Sequence, residues 1–345
     1  MPGLKMEAQD VATYLRHKLD LPDLQVTDLT RFPRGVSRET WFVQCEYTSS
    51  GKPQQQGFVI RRDLPGRSIC TATLHFEYEV FRRLHGTPVP VPRTLCYEDD
   101  AQWMLDGRDF YVRELVQGHW NVPNFTNPDP KYDGIRIEAC REHARKLAAL
   151  HTLDWESLGF GDLMAVPPTP ADAPLTAIDR LERKLKEIQV EPVPVFTEAV
   201  GWMRDNAPRN ASRVSLLKGN NGLGEEIWHE GEIVAMSDWE LASLGDPAYD
   251  FSWCQGFTAV VVEGKWNLQS MLDYYEEISG IHVKASSVQF YYLIQALEGT
   301  VFTHNAAVPV VERENLLARL CWVSTEVHHS MQSTLARAMG IELQY

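Results

Sequence analysis

The chain has 345 residues, 44% of them hydrophobic and 23% charged, the proportions of a globular protein with a sizeable core; its length is that of about two domains. The formal net charge of −14 argues against a surface that tracks nucleic-acid phosphates, while leaving room for a local positive pocket. The sequence has neither a long apolar run nor the basic-then-apolar start of a secretory signal, and its six cysteines (Cys45, Cys70, Cys96, Cys140, Cys254 and Cys321) lie far apart with no C-x-x-C pair; no membrane span, zinc site or disulfide framework is expected, and the cytoplasm is the natural location.

In chain order, residues 7–19 are expected to be a helix, because Val11, Tyr14, Leu15 and Leu19 recur at helical spacing and Pro22 follows. Residues 40–47 (TWFVQCEY) are rich in aromatic and β-branched side chains and predict a strand. A polar connector, 48–56, leads to its hairpin partner, 57–62. A helix follows at 75–84. Residues 102–105 and 109–116 predict two more strands around Asp106-Gly107, a dipeptide suited to a tight turn. This order describes a small antiparallel sheet with a helix packed on it. After Gly118 the composition changes. A loop at 121–133, carrying Pro123, Pro128 and Pro130, precedes helices at 135–151, 175–188 and 195–206. Short β segments at 214–217, 226–228 and 233–236 interrupt them, the last two joined around Gly231, and apolar helices dominate from 268 onward. There is no internal repeat. The expected boundary lies near residue 117, dividing 1–116 from 117–345.

The segment from Leu217 to Phe251 reads LKGNNGLGEEIWHEGEIVAMSDWELASLGDPAYDF. It resembles the catalytic segment of the aminoglycoside phosphotransferase family of small-molecule kinases: H-G-D-x-x-x-x-N, a hairpin, D-W-E and G-D-P-x-x-D. RFPRGVSRETW, VIRRDLPG, HFEYEVFRRL, DFYVRELVQG and LAALHTLDWESLGFGDL fit the same family in the same order. The chain is similar in particular to the kinase-like domains found fused to acyl-CoA dehydrogenases. Collinearity over nearly the whole chain carries the resemblance. It implies an α+β, protein-kinase-like fold with a nucleotide-covering N-lobe, a mostly helical C-lobe, and a site for ATP and Mg²⁺ between them.

Phosphoryl transfer needs metal-bound phosphates, an aligned acceptor and charge stabilisation. The resemblance makes Asp238, just after an apolar strand, the metal-binding aspartate; the rival reading of its residues alone is a turn or capping aspartate. Arg34, Gly35, Val36 and Ser37 fall where the family has its phosphate-covering loop. Arg61 stands where kinase-like folds usually have a lysine, keeping the charge but offering a planar fork. Glu77 matches the carboxylate that orients that cation. Glu114-Leu115-Val116 resembles the hinge whose backbone meets the base. Asp246 and Asp250 are expected to be structural, and His151 a packing and hydrogen-bonding residue.

The catalytic loop departs from the family. Lys218-Gly219-Asn220 occupies the His-Gly-Asp position, and an amide cannot act as a carboxylate base. Glu225 stands at the family's second metal-contacting asparagine, so an anionic ligand is displaced along the loop and not lost. Lys218 is expected to add a cation near the transferring phosphate. Elsewhere, the Gly219–Gly224 run lacks dinucleotide-loop spacing, His328 and His329 fall on different faces of a helix, and no G-x-S-x-G elbow exists. The leading expectation is ATP- and Mg²⁺-dependent phosphorylation of a small-molecule hydroxyl. The acceptor is expected to be neutral or aromatic, since Trp120, Phe125, Trp253, Phe257, Tyr291, Tyr292, Phe302 and Trp322 lie in the acceptor-side segments; nucleic acid and membrane partners are not expected. Two rivals stay open: a nucleotide-binding pseudokinase acting as a regulator or scaffold, and a cleft repurposed for another ligand such as an acyl thioester.

Overall fold

The computed structural model describes residues 6–33, 37–64, 71–105, 107–188, 193–312 and 318–341. Helix α1 (Ala8–Leu19) forms as its spacing predicts, with Val11, Ala12, Tyr14 and Leu15 buried on one face and Arg16, His17 and Lys18 in the last turn, where cations suit the helix dipole. The antiparallel pair β2 (Arg38–Ser49) and β3 (Lys52–Asp63) follows an edge strand, β1 (Gln25–Arg31). Ser49 pairs with Lys52 and the turn residues Ser50 and Gly51 both have positive φ (52° and 73°), so the strands meet in a two-residue turn of the hairpin type. The expected connector at 48–56 therefore belongs mostly to the strands. Its polar side chains face solvent, which a half-exposed strand tolerates.

Helix α2 (Leu74–Leu84) opens on Thr73, whose hydroxyl accepts the Phe76 amide at 3.1 Å. Strands β4 (Thr94–Glu98) and β5 (Phe110–Glu114) complete a five-stranded sheet in the order β1-β2-β3-β5-β4. Residues 102–105, expected to be a strand, form a turn in which the Trp103 and Met104 amides donate to the Asp100 carbonyl. The Trp103 ring stacks on His17 at 4.4 Å between centroids, so tertiary packing and not a ladder accounts for the aromatic character of this stretch. Only Leu105 and Arg108 bridge there, and Asp106 lies outside the described residues.

The register divides the sheet cleanly. Trp41, Val43, Phe58, Ile60, Phe110 and Val112 pack against Val11, Tyr14 and Leu15 of α1. The pairs Thr40–Arg61, Phe42–Val59, Arg61–Tyr111 and Val59–Arg113 then share the opposite face, because partners across an antiparallel ladder point the same way. That face looks toward α2 and the rest of the molecule.

Beyond the sheet the chain is mainly helical: α3 (Asp133–His151), α4 (Ala173–Ile188), α5 (Pro194–Asn206), α6 (Ala248–Trp253), α7 (Gln255–Thr258), α8 (Leu268–Ser279), α9 (Ala285–Val311), α10 (Ala318–Trp322) and α11 (His328–Ala338), the last two joined by a π-type turn, Val323–Val327. Two small ribbons sit among them, β6 (Ser215–Leu217) with β9 (Ser243–Gly245) and β7 (Glu226–His229) with β8 (Glu232–Met236). The large core cluster joins α2 and Tyr111 to these helices, so the two lobes share apolar packing. The link between lobes is tight at Gly118, where a Cβ would come within 2.6 Å of the Trp228 carbonyl oxygen, and His119 and Trp228 exchange backbone hydrogen bonds of 2.8 and 2.7 Å. The fold is α+β and two-lobed. No described helix is long and apolar enough to cross a membrane, and the five described cysteines are free.

Candidate active site

Arg61 projects from the inner face of β3 toward the helical lobe. Its Nε lies 3.1 Å from Glu77 Oε1 on α2, and its Nη2 donates to Asp238 Oδ1 at 2.9 Å. The expected Arg61–Glu77 pair therefore exists and extends across the lobes. Arg38, at the start of β2, completes it: its guanidinium donates to Glu77 Oε2 at 2.8 Å, to Asp63 at 2.9 Å and to Glu240 Oε2 at 3.2 Å. Ser37 donates its hydroxyl to the same Glu240 oxygen at 2.9 Å. Charges buried in this way persist only when each has a partner. Arg34, Gly35 and Val36 lie outside the described residues.

The helical lobe supplies Asp238 from the end of β8. Its backbone adopts φ 63° and ψ 60°, left-handed values that a non-glycine residue holds only when its surroundings impose them, and such positions cluster at functional sites. No capping bond forms from its side chain. The carboxylate instead accepts from Arg61 at Oδ1 and from the Asn220 amide at Oδ2, at 2.6 Å.

The loop that carries Asn220 is held from behind. Gly219 has φ +80°, and a Cβ there would lie 2.6 Å from Leu241 Cβ and 2.7 Å from the Leu241 carbonyl oxygen. The Asp250 carboxylate accepts the Lys218 and Gly219 amides at 2.9 and 2.8 Å and also bonds His151 Nε2 at 2.9 Å. His151 Nδ1 meets the Tyr275 hydroxyl at 2.8 Å, so Asp250 and His151 are structural, as expected.

Lys218 lies beneath the loop. Its side chain is fully buried, its ammonium donates to the Asn220 carbonyl oxygen and lies 3.6 Å from Glu226 Oε1, and it sits over the Trp239 ring. A cation held like that braces the loop, and its charge reaches the Asp238 and Glu225 carboxylates. Glu226 in turn lies 3.6 Å from His143 Nε2, all three side chains being fully buried.

Charge is concentrated around these groups. Burial alone would raise the Asp238 carboxyl, but Arg61, Lys218 and the Asn220 amide overcome it and hold the group below its ordinary value. Glu225 goes the other way: burial, then the Asp238 charge, push it up to about 8. Burial and Asp238 likewise push Glu240 up to about 7. Glu225 and Asp238 thus form an anionic pair that disfavours its own full ionisation, a donor set of hard oxygens suited to a divalent cation. No group of three or more His, Cys, Asp or Glu side chains placed to hold a metal ion by themselves exists among the described residues. Mg²⁺ does not need one, since it keeps waters and is bound through one or two carboxylates plus phosphate oxygens.

In the segment expected to be the hinge, Glu114 ends β5 with its carboxylate on Arg93 at 2.9 Å and its amide on the Arg93 carbonyl at 2.9 Å, Leu115 donates to the Gly57 carbonyl at 3.0 Å, and Val116 follows. A cavity of about 400 Å³ opens beside the ion-pair cluster, with an apolar wall that includes Phe76, Met164 and Tyr291 and a charged one that includes Arg180, Glu187 and Glu240. It borders Glu240 and not Asn220. Of the aromatic residues expected on the acceptor side, Tyr291 lines this cavity, Phe125 and Phe257 are core, and Trp322 is 56% exposed on the far helices. Arg38 and Glu240 escaped the sequence reading. The available signal was a pair of charges, Arg38-Glu39, opening an otherwise apolar strand, and the glutamate of the D-W-E run.

A small sheet with an ion-paired helix, a left-handed aspartate and a loop pinned by a buried aspartate define a kinase-like phosphotransferase fold. The chain belongs to the APH phosphotransferase enzyme family, whose sequence profile matches residues 28–281. It is 25% identical over 269 residues to acyl-CoA dehydrogenase family member 11 of Rattus norvegicus, covering 73% of this chain and 31% of that one; for the Homo sapiens protein of the same name the figures are 24% over 314 residues, 83% and 38%. The chain spans about a third of the length of these curated relatives. Among solved structures, a Ralstonia eutropha protein assigned to the aminoglycoside phosphotransferases superposes with a TM-score of 0.67 at 20% identity, over 98% of this chain and 100% of that one. A macrolide 2′-phosphotransferase type I superposes with 0.58 at 16% identity over the whole of both chains. An aminoglycoside phosphotransferase in ternary complex with ADP and hygromycin B gives 0.57 at 15%, over 95% and 98%.

Proposed function

We propose that this protein is an ATP- and Mg²⁺-dependent phosphotransferase acting on a hydroxyl of a small molecule, with a rebuilt catalytic loop. The observation that carries the proposal is the chain of contacts from Glu77 through Arg61 to Asp238 and Asn220, which unites both lobes at one point. Arg61 contacts the phosphates and is oriented by Glu77 and Thr40. Asp238 and Glu225 hold the metal, which when bound neutralises phosphate charge and lowers the cost of the transfer. Asn220 orients the acceptor hydroxyl as a hydrogen-bonding group, since its amide cannot take the proton. Loose phosphoryl transfer relies chiefly on positioning and electrostatics, so a strong base at this place is not a requirement. Lys218 holds the Asn220 backbone. Ser37 belongs to the phosphate-covering loop, with Arg34, Gly35 and Val36, and Val116 offers its backbone to the base. The neighbouring structures that hold ADP, AMP-PNP or ATP support nucleotide use.

The acceptor is neutral or aromatic. The cavity beside Glu240 supports this through the apolar part of its wall, and through its charged lining, in which Glu240 is already bonded to Ser37, Arg38 and Arg61, Glu187 is paired with Lys184, and Arg180 and Arg183 add positive charge. A polycationic aminoglycoside would need free carboxylates there. The test is phosphate transfer from ATP over a panel of small alcohols and phenols, with kanamycin-like compounds as the contrast. Turnover on the panel that falls in Glu225→Gln supports the proposal; efficient use of kanamycin at low KM would refute the acceptor class. The pseudokinase reading has one observation in its favour, that both Asp238 oxygens are engaged by protein donors. Tight Mg-ATP binding without turnover on every acceptor would select it.

A further inference from the structure

Arg113 makes no ion pair among the described residues. It lies on the inner face of β5, directly opposite Val59 and two residues from Tyr111, on the same face as Arg61. The carboxylates nearby are committed elsewhere: Glu77 to Arg38 and Arg61, and Glu114 to Arg93. Its Nε is buried with no acceptor in hydrogen-bond geometry among the described residues, and its polar neighbour is the buried Tyr111 hydroxyl. The guanidinium carbon lies 5.4 Å from the centre of the Phe81 ring, which fixes the plane of the fork without satisfying its donors. Burial, with Arg61 adding its own positive charge, weakens the cation's hold on its proton. A buried donor without an acceptor is costly, and is retained where a ligand supplies one.

The place of Arg113 indicates which part of a ligand that is. Arg61, two residues along β3 from Val59, marks the phosphate end of the cleft, while Arg113 precedes the Glu114–Val116 hinge at the base end. A guanidinium offers five donors and no acceptor. An adenine edge presents its 6-amino donor next to N7, so one arm of the fork meets another donor. A 6-oxopurine presents O6 and N7, two acceptors that match the fork bidentately.

Resting on the proposed nucleotide site, we propose that Arg113 determines its base specificity and that the cleft takes 6-oxopurine nucleoside triphosphates, GTP and ITP, at least as well as ATP. The experiment is calorimetric binding of Mg-ATP, Mg-GTP and Mg-ITP to the full chain and to Arg113→Met and Arg113→Lys, with thermal unfolding as a control for folding. ITP carries the 6-oxo group without the 2-amino group and isolates the predicted contact. Both variants should lose roughly 5- to 150-fold in GTP and ITP affinity, the worth of one bidentate contact, while ATP affinity changes by less than about threefold. The lysine variant keeps the charge and loses only the fork, so it separates recognition from a general electrostatic role. Wild type binding ATP tenfold or more tightly than GTP and ITP would overturn the inference and leave the ATP-dependent reading standing. Equal loss of all three nucleotides in both variants would also overturn it, by making Arg113 a structural residue. Binding of no nucleotide would remove this inference together with the reading it rests on.

Discussion

Asn220 donates its amide to Asp238 at 2.6 Å, and this contact decides what a restored aspartate would do. Asn220→Asp replaces a donor by a second anion against a carboxylate that already has Glu225 nearby. A unit charge at ~4 Å is worth roughly 4 kcal/mol at an effective dielectric near 20. The expected outcome is weaker transfer and a lower melting temperature; a variant that is faster and equally stable would mean that Asn220 is a decayed base position. Glu225 gives a second prediction, in pH. Its carboxyl rises from an ordinary value near 4.5 to about 8 in the folded chain. The folded state therefore binds this proton more tightly than the unfolded state, so the associated stability is complete below about 4.5 and is lost as pH rises through about 8. Without metal, wild type should lose stability between pH 6 and 9, and Glu225→Gln should lose less. Added Mg²⁺ should stabilise wild type more at pH 8.5 than at pH 6, and the glutamine variant little at either. Identical pH slopes for the two proteins in thermal melts would refute the pairing of Glu225 with Asp238.

Among the elements, the loop after β6 depends on its anchors more than on its own residues. Gly219→Ala puts a Cβ into Leu241 at a backbone angle that disfavours it. A loss of about 1–3 kcal/mol and of turnover is expected, read from denaturant melts and assays. Asp250→Asn turns an acceptor of two backbone amides and His151 into a group that must aim one NH₂ at a donor. Hydrogen bonds to a charged acceptor are worth about 1.5–3 kcal/mol each, so a fall of at least about 2 kcal/mol is expected. Melts unchanged in Asp250→Asn would remove this account of the loop. Periodicity exposed α1, the β2–β3 hairpin, α2 and the long helices, because in those an apolar face recurs at the period of the element. It did not expose β1, whose side chains are mostly solvent-facing, or β9, whose three residues are too few to show a period. β4 was passed over for the Trp103 stretch, whose aromatic content serves α1. The inward turn of Lys218 was equally unreadable: it depends on Glu226 and Trp239 being underneath it, and no spacing along the chain shows that.

For the molecule as a whole, the cleft is closed by ion pairs as well as by packing. Arg61 to Asp238, and Ser37 and Arg38 to Glu240, join the sheet lobe to the helical lobe. In the proposed site nucleotide and metal enter where Arg61 holds Asp238, so binding there would exchange a contact between lobes for contacts made through the ligand. Removing one partner leaves a buried charge uncompensated, at a cost of about 3–5 kcal/mol, whereas removing both is cheaper. Arg61→Met and Asp238→Asn should therefore each destabilise the ligand-free protein. The double variant should be less destabilised than the sum of the two, by a coupling of about 0.5–3 kcal/mol. Mg-ATP at 100 times its Kd should stabilise wild type by about 2.7 kcal/mol. That is a rise of roughly 2–4 °C per kcal/mol for a domain of 150–250 residues and less for a longer chain. In Asp238→Asn the part of the shift that requires Mg²⁺ should vanish, and in Arg61→Met the shift should shrink with or without metal. An Mg²⁺-dependent shift that survives Asp238→Asn in full would place the metal elsewhere. Additive single variants would mean that the two lobes are joined by their shared core alone.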